Sequence, residues 1–215
     1  MYSVIIPTMW RSERTIPLIQ SLVECEFVGE VIVIDNDYDA GYINAEEQKI
    51  DHIINHGYGK LIYVNNYQNN YVNPSWNMGV RLAKYDNIAL CNDDITFDTR
   101  HVFIDGSGLR DYIFGIHPDS YEMRPIKDDV IATGRTEVKT RPHGFGCLMI
   151  LNKRDYVPIP EEMRVSFGDD WLFKSIPNRI AMLFPIQTEM STTSRDAEFI
   201  AIAEEDSKIW HALNK

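Results

Sequence analysis

The feature that most constrains the fold is a set of short apolar runs, each followed by polar or acidic residues. Ser3–Pro7 is a β-branched run stopped by Pro7, and Glu30–Ile34 (EVIVI) leads directly into Asp35–Asp37. Asn87–Cys91 (NIALC) leads in the same way into Asn92–Asp94. Apolar runs of this length are typical of strands that are buried on both faces of a parallel sheet.

Segments with helical spacing separate these runs. Apolar residues recur every three to four positions in Arg14–Glu24, and Pro74 opens a second helix that we predict to reach about Lys84. Lys60–Val64 is a third strand, and the stretch before it is predicted to be partly helical. Alternating strands and helices predict a doubly wound α/β sheet, which binds its ligands at the carboxyl ends of its strands.

The second half of the chain is less regular. Short strands and loops are predicted over residues 99–142, followed by a strand at Cys147–Leu151 and a helix that opens at Gly168. Another strand is predicted at Ala181–Ile186, and Asp196–Leu213 is predicted to be an amphipathic helix. No linker or repeat divides the chain, so we predict one domain over residues 1–215.

Charge and cysteine content exclude several classes of protein. The 215 residues carry a formal net charge of -11, which disfavours binding to nucleic acid or to an anionic membrane. Cys25, Cys91 and Cys147 are widely spaced without a CxxC, so no disulfide framework or zinc site is expected. The sequence shows no signal peptide and no apolar run long enough to span a membrane, and we therefore expect a soluble, cytoplasmic protein.

Three acidic clusters are candidates for chemistry. Asn92–Asp94 offers hard oxygen ligands of the kind that suit Mg²⁺ or Mn²⁺, and Asp35–Asp37 could accept hydrogen bonds from a base or a ribose. In Gly168–Asp170, a carboxylate near a helix N-terminus could act as a general base, while one aspartate caps the helix. Each cluster alone is equally compatible with an ordinary polar turn or helix cap.

Several motifs of other enzyme classes are missing. There is no GxGxxG after the first strand, no GxxxxGK[ST] and no GxSxG. These absences disfavour a dinucleotide-dependent enzyme, a P-loop nucleotidase and an α/β-hydrolase.

Taken in order, segments of the chain resemble motifs of the inverting family 2 glycosyltransferases, which have the GT-A fold, a Rossmann-like α/β fold with a mixed, mostly parallel sheet flanked by helices. Ser3–Thr8 is similar to the opening "SIIIPTYN" strand, and Glu30–Asp37 to "EIIVVDNGS". Asn69–Val80 resembles the family's Asn-rich loop and helix, and Leu90–Ile95 its DxD segment in the form "LLNPDV". Further resemblances are Gly144–Ile150, similar to the acceptor-side strand, and Phe167–Phe173, similar to "FGEDxDL".

The chain departs from the family pattern at three places. Asn92 replaces the first Asp of the DxD motif, and Tyr71 stands where the family usually has Gly. After the last strand, the family often has a His that helps to bind the metal or the diphosphate. This chain has Ile186–Glu189 there.

The resemblance implies a role for each matching residue. Residues 1–98 of this chain would form the nucleotide-sugar-binding half, and residues 99–215 would form the acceptor-binding half. The nucleotide site would be formed by Pro7, Thr8, Asp35, Asn70, Asn77, Asn92 and Asp93. Asp94 would bind the metal, Asp169 or Asp170 would be the catalytic base with Asp169 slightly favoured, and His143 and Trp171 would face the acceptor.

The expected function follows from these implied roles. We expect an enzyme that transfers a sugar from a nucleoside-diphosphate sugar, most often a UDP-sugar, to a hydroxyl of a glycan or another acceptor. Inversion at the anomeric carbon and dependence on Mn²⁺ or Mg²⁺ are expected from the resemblance. The alternatives are a catalytically inactive nucleotide-sugar-binding or carbohydrate-binding protein, a sugar-phosphate nucleotidylyltransferase, and an α/β scaffold whose acidic turns have no catalytic role.

Overall fold

The structure is a computed structural model that describes residues 1–37, 59–104, 108–123, 133–189 and 197–214. Its strands are β1 (Tyr2–Thr8), β2 (Val28–Asp35), β3 (Leu61–Asn65), β4 (Asn87–Cys91), β5 (Ile95–Phe97), β6 (Tyr112–Ile116), β7 (Gly134–Glu137), β8 (Leu148–Asn152), β9 (Asn178–Leu183) and β10 (Ile186–Thr188). Its α-helices are α1 (Thr15–Glu24), α2 (Val72–Leu82), α3 (Thr99–Val102), α4 (Gly168–Ser175) and α5 (Ala197–Leu213).

Eight of these strands form one sheet in the order β3-β2-β1-β4-β8-β6-β9-β7. The strands of the first half, β3, β2, β1 and β4, are all parallel to their neighbours. Beyond β4, only β6 and β9 pair in parallel, while β8 and β7 run antiparallel to the strands beside them. The architecture is therefore the mixed, largely parallel α/β sheet that the sequence predicts.

Both faces of the sheet are covered because its central strands are apolar on both sides. Successive residues of a strand point to opposite faces. Accordingly, Val31 and Val33 of β2 pack in the core layer that contains α1, whereas Ile32 and Ile34 pack in the layer that contains α2 and α4. Burying a side chain of this size stabilises a fold by about 1.5–3 kcal/mol.

Helix α2 lies unusually close to β1. A Cβ at Gly79 would lie 2.2 Å from Cγ2 of Ile5, so only glycine allows this approach. The close packing holds the second half of α2 against β1. Pro74 is the third residue of α2, within the first turn, as expected for proline in a helix.

The predicted element bounds differ from the structure in specific places. Most strands and helices agree with the prediction to within about two residues at each end, and the bounds of β4 agree at both ends. The single strand predicted at Ala181–Ile186 is wrong, because β9 ends at Leu183 and β10 starts at Ile186 in a separate sheet with β5. Pro185 lies between them and has no N–H to continue a ladder. The partly helical stretch predicted before β3 falls largely in residues 38–58, outside the described residues.

None of the helices in the described part of the chain is long and apolar enough to cross a membrane.

Candidate functional site

A cavity opens at the carboxyl ends of β1 and β2 and beside the turn that follows β4. It is lined by residues from these strand ends, from the segment that enters α2 and from α5: Pro7, Thr8, Met9, Arg11, Ser12, Asn36, Asn69, Tyr71, Val72, Asp93, Asp94, Val165, Glu198, Phe199 and Ile202. This is the position at which doubly wound sheets bind their ligands. Pro7, Thr8, Asp93 and Asp94, which the sequence places at the site, are among these lining residues.

Asp93 is held by two hydroxyl groups. Thr8 Oγ1 donates a hydrogen bond of 2.6 Å to its Oδ2, and Thr15 Oγ1 donates to the Asp93 carbonyl at 3.2 Å. The pKa of Asp93 is raised to about 6, because the effect of burial, together with the charge of Asp94 beside it, outweighs the lowering by the Thr8 hydrogen bond. The ionised carboxylate is therefore costly here unless positive charge is nearby.

Asp94 has one oxygen without a protein partner. Its Oδ2 accepts a hydrogen bond from Thr188 Oγ1 at 3.4 Å, but its Oδ1 is buried and has no hydrogen-bond donor among the described residues. Burial raises the pKa of Asp94, and the nearby charge of Glu189 also raises it. An orphaned carboxylate oxygen that lies at a cavity is suited to accept a cation.

The segment after β9 reaches the same place. Glu189 N donates to the Asp94 carbonyl at 3.2 Å, and the Glu189 carboxylate accepts from Ser12 Oγ and lies 3.1 Å from Nε of Arg14. Thr188 and Glu189 thus occupy the surroundings of Asp94, in the segment where the related family often has a histidine.

Asp169 and Asp170 lie in the first turn of α4, and both bind one arginine. Nη1 of Arg141 lies 2.7 Å from Oδ2 of Asp169, and its Nε lies 2.6 Å from Oδ1 of Asp170. Burial raises the pKa of Asp169, Arg141 lowers it and Asp170 raises it. A Cβ at Gly146 would lie 2.5 Å from Oδ2 of Asp169, so the backbone before β8 also confines this carboxylate.

Neither aspartate caps α4, which corrects the cap expected from the sequence. The N-cap residue is Phe167, whose backbone is left-handed with φ of 61°, and no side chain caps the helix. Both carboxylates are instead committed to Arg141. They are therefore fixed in position by an ion pair.

One aspartate of each acidic pair acts on the same buried thiol. The pKa of Cys147 is raised to about 11, mainly by burial and in addition by the charges of Asp94 and Asp169. Cys147 precedes β8, which pairs with β4, the strand that ends at Asn92–Asp94. The carboxylates of the cavity and those of α4 are thus near enough to act electrostatically on the same group.

Two predicted nucleotide-binding residues have structural roles instead of lining the cavity. Asn77 is buried, and its amide is saturated: Nδ2 donates to Ile159 O at 2.7 Å, while Oδ1 accepts from Tyr156 and from Ile159 N. Asp35 is also buried, and its carboxylate accepts from Asp37 N and from the Tyr63 hydroxyl. The polar atoms of Asn77 and Asp35 thus bind the protein, and neither residue is among those that line the cavity, so a contact of either with the nucleotide stays a prediction.

The remaining predicted residues, Asn70, Asn92, His143 and Trp171, are not among those that line the cavity, although Asn70 and Asn92 are each next to lining residues in the chain. Asn70 accepts a hydrogen bond from Gln68, and the Asn92 N–H donates to Cys147 O at 2.9 Å. His143 is exposed two residues after Arg141. Trp171 follows Asp170, and its indole N–H is buried without a hydrogen-bond partner in the described part of the chain.

Sequence reasoning missed two parts of the site. Arg141 carries no motif, so only its contacts identify it. Helix α5 supplies Glu198, Phe199 and Ile202 to the cavity wall. A signal for α5 was present in Asp206, an acidic residue on the apolar side of the helix, whose carboxylate is fully buried and accepts hydrogen bonds from three successive backbone N–H groups of residues 164–166.

Comparison by sequence finds no match, since no protein-family model and no curated protein matches this chain. Solved structures do match. The crystal structure of GalNAc-T7 with UDP, GalNAc and Mn²⁺ has a TM-score of 0.64 and 10% identity, covering 87% of this chain and 43% of that chain. This chain therefore spans less than half the length of GalNAc-T7.

Two further structures share the architecture. Residues 1–349 of S. aureus TarS in complex with UDP-GlcNAc give a TM-score of 0.59 and 15% identity, covering 94% of this chain and 64% of that chain. HddC from Yersinia pseudotuberculosis gives 0.54 and 15%, covering 97% of this chain and 100% of that chain. Identities this low show a shared fold alone, and that fold is the GT-A fold expected from the sequence.

Proposed function

We propose that this protein is a glycosyltransferase, which transfers a sugar from a nucleoside-diphosphate sugar to the hydroxyl of an acceptor with the help of a divalent cation. The donor is a UDP-sugar, and the anomeric carbon is inverted. Two of the structures that share the fold contain UDP or UDP-GlcNAc. The cavity of this chain lies at the carboxyl ends of its parallel strands, where doubly wound sheets bind their ligands, and this supports the nucleotide class.

The observation that carries the proposal is the orphaned Oδ1 of Asp94. A buried carboxylate oxygen without a donor is expensive, and the neighbouring Asp93 adds a second negative charge. No group of three or more His, Cys, Asp or Glu side chains forms a metal cage within the described residues. Mg²⁺ and Mn²⁺ suit such a site, since they need only one or two carboxylates and can take their other ligands from water and substrate phosphates.

The cation has a defined chemical use in this arrangement. Asp94 would hold it, with Asp93 beside it, and Asn92 would lie near the ribose or the metal-bound water. When bound, the cation neutralises the charge that accumulates on the departing nucleoside diphosphate. Arg11 is the single lysine or arginine among the described residues that line the cavity, and a cation would add to the positive charge that a diphosphate needs.

The chain supplies the base for the acceptor. Asp169 would take the proton of the acceptor hydroxyl, and that oxygen would form a bond to the anomeric carbon. The bond from the anomeric carbon to the diphosphate oxygen breaks with its electron pair on the leaving group. The raised pKa of Asp169 makes it a better proton acceptor than an ordinary carboxylate. His143 and the unpartnered indole N–H of Trp171 would orient the acceptor.

A specific observation favours the second candidate, an inactive nucleotide-sugar-binding protein. Arg141 neutralises both Asp169 and Asp170 at hydrogen-bonding distance. A carboxylate whose oxygens are occupied by an arginine accepts a proton less readily. Arg141 does not bind Oδ1 of Asp169, which accepts a hydrogen bond of 3.1 Å from the Asp170 N–H. The catalytic proposal therefore requires that this oxygen also faces the acceptor hydroxyl.

Release of UDP separates the two candidates. The full chain would be incubated with Mn²⁺ and each of several UDP-sugars, with and without a panel of sugar and polyol acceptors, and free UDP would be measured. We expect release from at least one donor, with a large increase when the correct acceptor is present. Mn²⁺-dependent binding of UDP without release from any donor would support the binding protein and contradict the enzyme.

A further inference from the structure

Tyr71 is held in a backbone conformation that tyrosine almost never adopts. Its φ is 61° and its ψ is 177°, a region that is essentially restricted to glycine. A residue remains in such a conformation only when its surroundings determine it from several sides. Tyr71 also lines the cavity, so the strain lies in the proposed donor site.

The surroundings of Tyr71 fix its backbone on both sides. Its N–H donates to Oδ1 of Asn69 at 2.9 Å, and its carbonyl accepts from Nδ2 of Asn36 at 3.3 Å. Asn69 and Asn36 both line the cavity. The strained conformation is therefore built by the residues of the site itself.

The ring of Tyr71 is positioned by the segment that precedes α4. The guanidinium of Arg164 lies over the Tyr71 ring, 5.3 Å from its centroid, and Arg164 also pairs with Glu205 of α5. On the cavity side, Nδ2 of Asn69 contacts the Met9 sulfur at 3.8 Å. Asn69 thus contacts both the Met9 thioether and the Tyr71 backbone, and all three residues line the cavity. This part of the wall therefore contains two polarisable side chains, a thioether and an aromatic ring.

We propose that Tyr71 is the platform on which the heteroaromatic base of the donor nucleotide stacks, and that it determines specificity for nucleotides over simple diphosphates. This inference rests on the proposed function. A glycine at position 71 would adopt this φ and ψ without strain. The aromatic ring must therefore make an interaction that offsets the energetic cost of the strained backbone. An aromatic side chain beside Met9 in the donor cavity offers a base a stacking surface, and stacking is tolerant of base identity.

The chain contains a matched control. Tyr67 also has a positive φ, of 53°, and its N–H is bonded to Oδ1 of an asparagine two residues earlier, as in Tyr71. Tyr67 is 83% exposed and is not among the residues that line the cavity. The same substitution at the two positions therefore separates relief of backbone strain from loss of the cavity wall.

The test compares UDP with inorganic pyrophosphate, each titrated calorimetrically with Mn²⁺ into the full chain and into Tyr71→Gly, Tyr71→Phe and Tyr67→Gly. We expect Tyr71→Gly to weaken UDP binding about tenfold, the scale of one stacked base, and to leave pyrophosphate binding unchanged. Tyr71→Phe and Tyr67→Gly should bind UDP as the wild type does. In urea denaturation, Tyr71→Gly should unfold at a higher midpoint than Tyr71→Ala, which keeps the strain.

Several outcomes would overturn the inference. Unchanged UDP affinity in Tyr71→Gly, an equal loss for UDP and pyrophosphate, or a wild type that binds UDP no better than pyrophosphate would each contradict base stacking on Tyr71. A wild type that binds neither ligand in the presence of Mn²⁺ would instead remove the proposed function, and the inference with it.

Discussion

The molecule contains two pairs of neighbouring carboxylates that are satisfied in different ways. Asp93 and Asp94, after β4, are bonded to hydroxyl and main-chain groups, and no lysine or arginine bonds to either within the described ranges. Asp169 and Asp170, at the start of α4, share the side chain of Arg141. The first pair lies in the parallel half of the sheet and the second beside the mixed half.

This difference indicates that the two pairs of carboxylates have different functions. A pair that has its own arginine is fixed in position and needs no further cation. A pair that lacks one retains the cost of burying its charge, which raises the pKa of Asp93 to about 6 and is only partly offset at Asp94 by the charge of Arg14. We therefore propose that Asp93 and Asp94 bind a cation and that Asp169 or Asp170 transfers the proton.

The largest loss of activity is expected from substitution of Asp169. Asp169→Asn should lower kcat by about 10²–10⁴-fold, the usual contribution of a general base, because the amide cannot accept the proton. Nucleotide affinity should not change, since Asp169 does not line the donor cavity. Steady-state kinetics with the identified donor and acceptor would measure the effect.

The comparison variant is Asp170→Asn, which removes the other charge of the pair. We expect a smaller loss of kcat than in Asp169→Asn, because the pKa of Asp169 is the one raised by burial. The assignment would be reversed by a larger loss in Asp170→Asn. Full turnover in both variants would place the base elsewhere.

The next effect concerns the pair without an arginine. Asp94→Asn should reduce the Mn²⁺-dependent affinity for UDP by about 10–100-fold, because a neutral amide is a weaker ligand for a hard cation. In the absence of metal, neither the wild type nor the variant should bind UDP tightly. Calorimetric titration would measure both, with Asp119→Asn, which is exposed and remote from the cavity lining, as the control.

Removing the arginine should move the pH dependence of the second pair. Because Arg141 lowers the pKa of Asp169, Arg141→Gln should raise it further. The base acts only when ionised, so activity is lost as the pH falls through this pKa, and the acidic limb of the kcat profile should shift to higher pH. At pH 8 the loss should be about tenfold or less. If the acidic limb does not shift, Arg141 does not control the pKa of the catalytic base.

The smallest functional effect is expected at Asn77, outside both pairs. Asn77→Ala should destabilise the fold by about 2 kcal/mol, because it leaves the buried Ile159 backbone groups without their partner. UDP affinity should stay within about twofold of the wild type, since the side chain does not reach the cavity. A large loss of UDP affinity in a stably folded variant would restore Asn77 to the nucleotide site.

The sequence predicts the parallel half of the fold closely and the mixed half poorly, for a physical reason. Strands such as β2 and β4 are apolar throughout and end at polar turns, so composition alone marks their bounds. In the second half, β7 is mostly exposed. Strands β9 and β10 follow one another closely in the sequence, but β9 pairs with β7 whereas β10 pairs with β5 in a separate sheet. Pairing between distant segments leaves little trace in local composition.

The candidate site shows the same limit. Asp94 follows a recognisable strand, so its position at the sheet edge could be predicted from the sequence. Arg141 lies in a loop, and its importance depends on contacts 28 and 29 residues further along the chain. Asn77 lies in the predicted helix, but a short polar residue there can face either a ligand or a neighbouring loop, and the hydrogen bonds of its side chain to Ile159 and Tyr156 could not be predicted from the sequence.

The central claim, that Asp93 and Asp94 recruit a cation to bind a nucleoside diphosphate, is tested most directly by calorimetry. UDP, GDP, TDP and CDP would each be titrated into the metal-free protein and then into the protein with Mn²⁺. We predict that UDP binds tightly and only when Mn²⁺ is present. Absence of binding for all four diphosphates, or UDP binding that is equally tight without metal, would contradict the account.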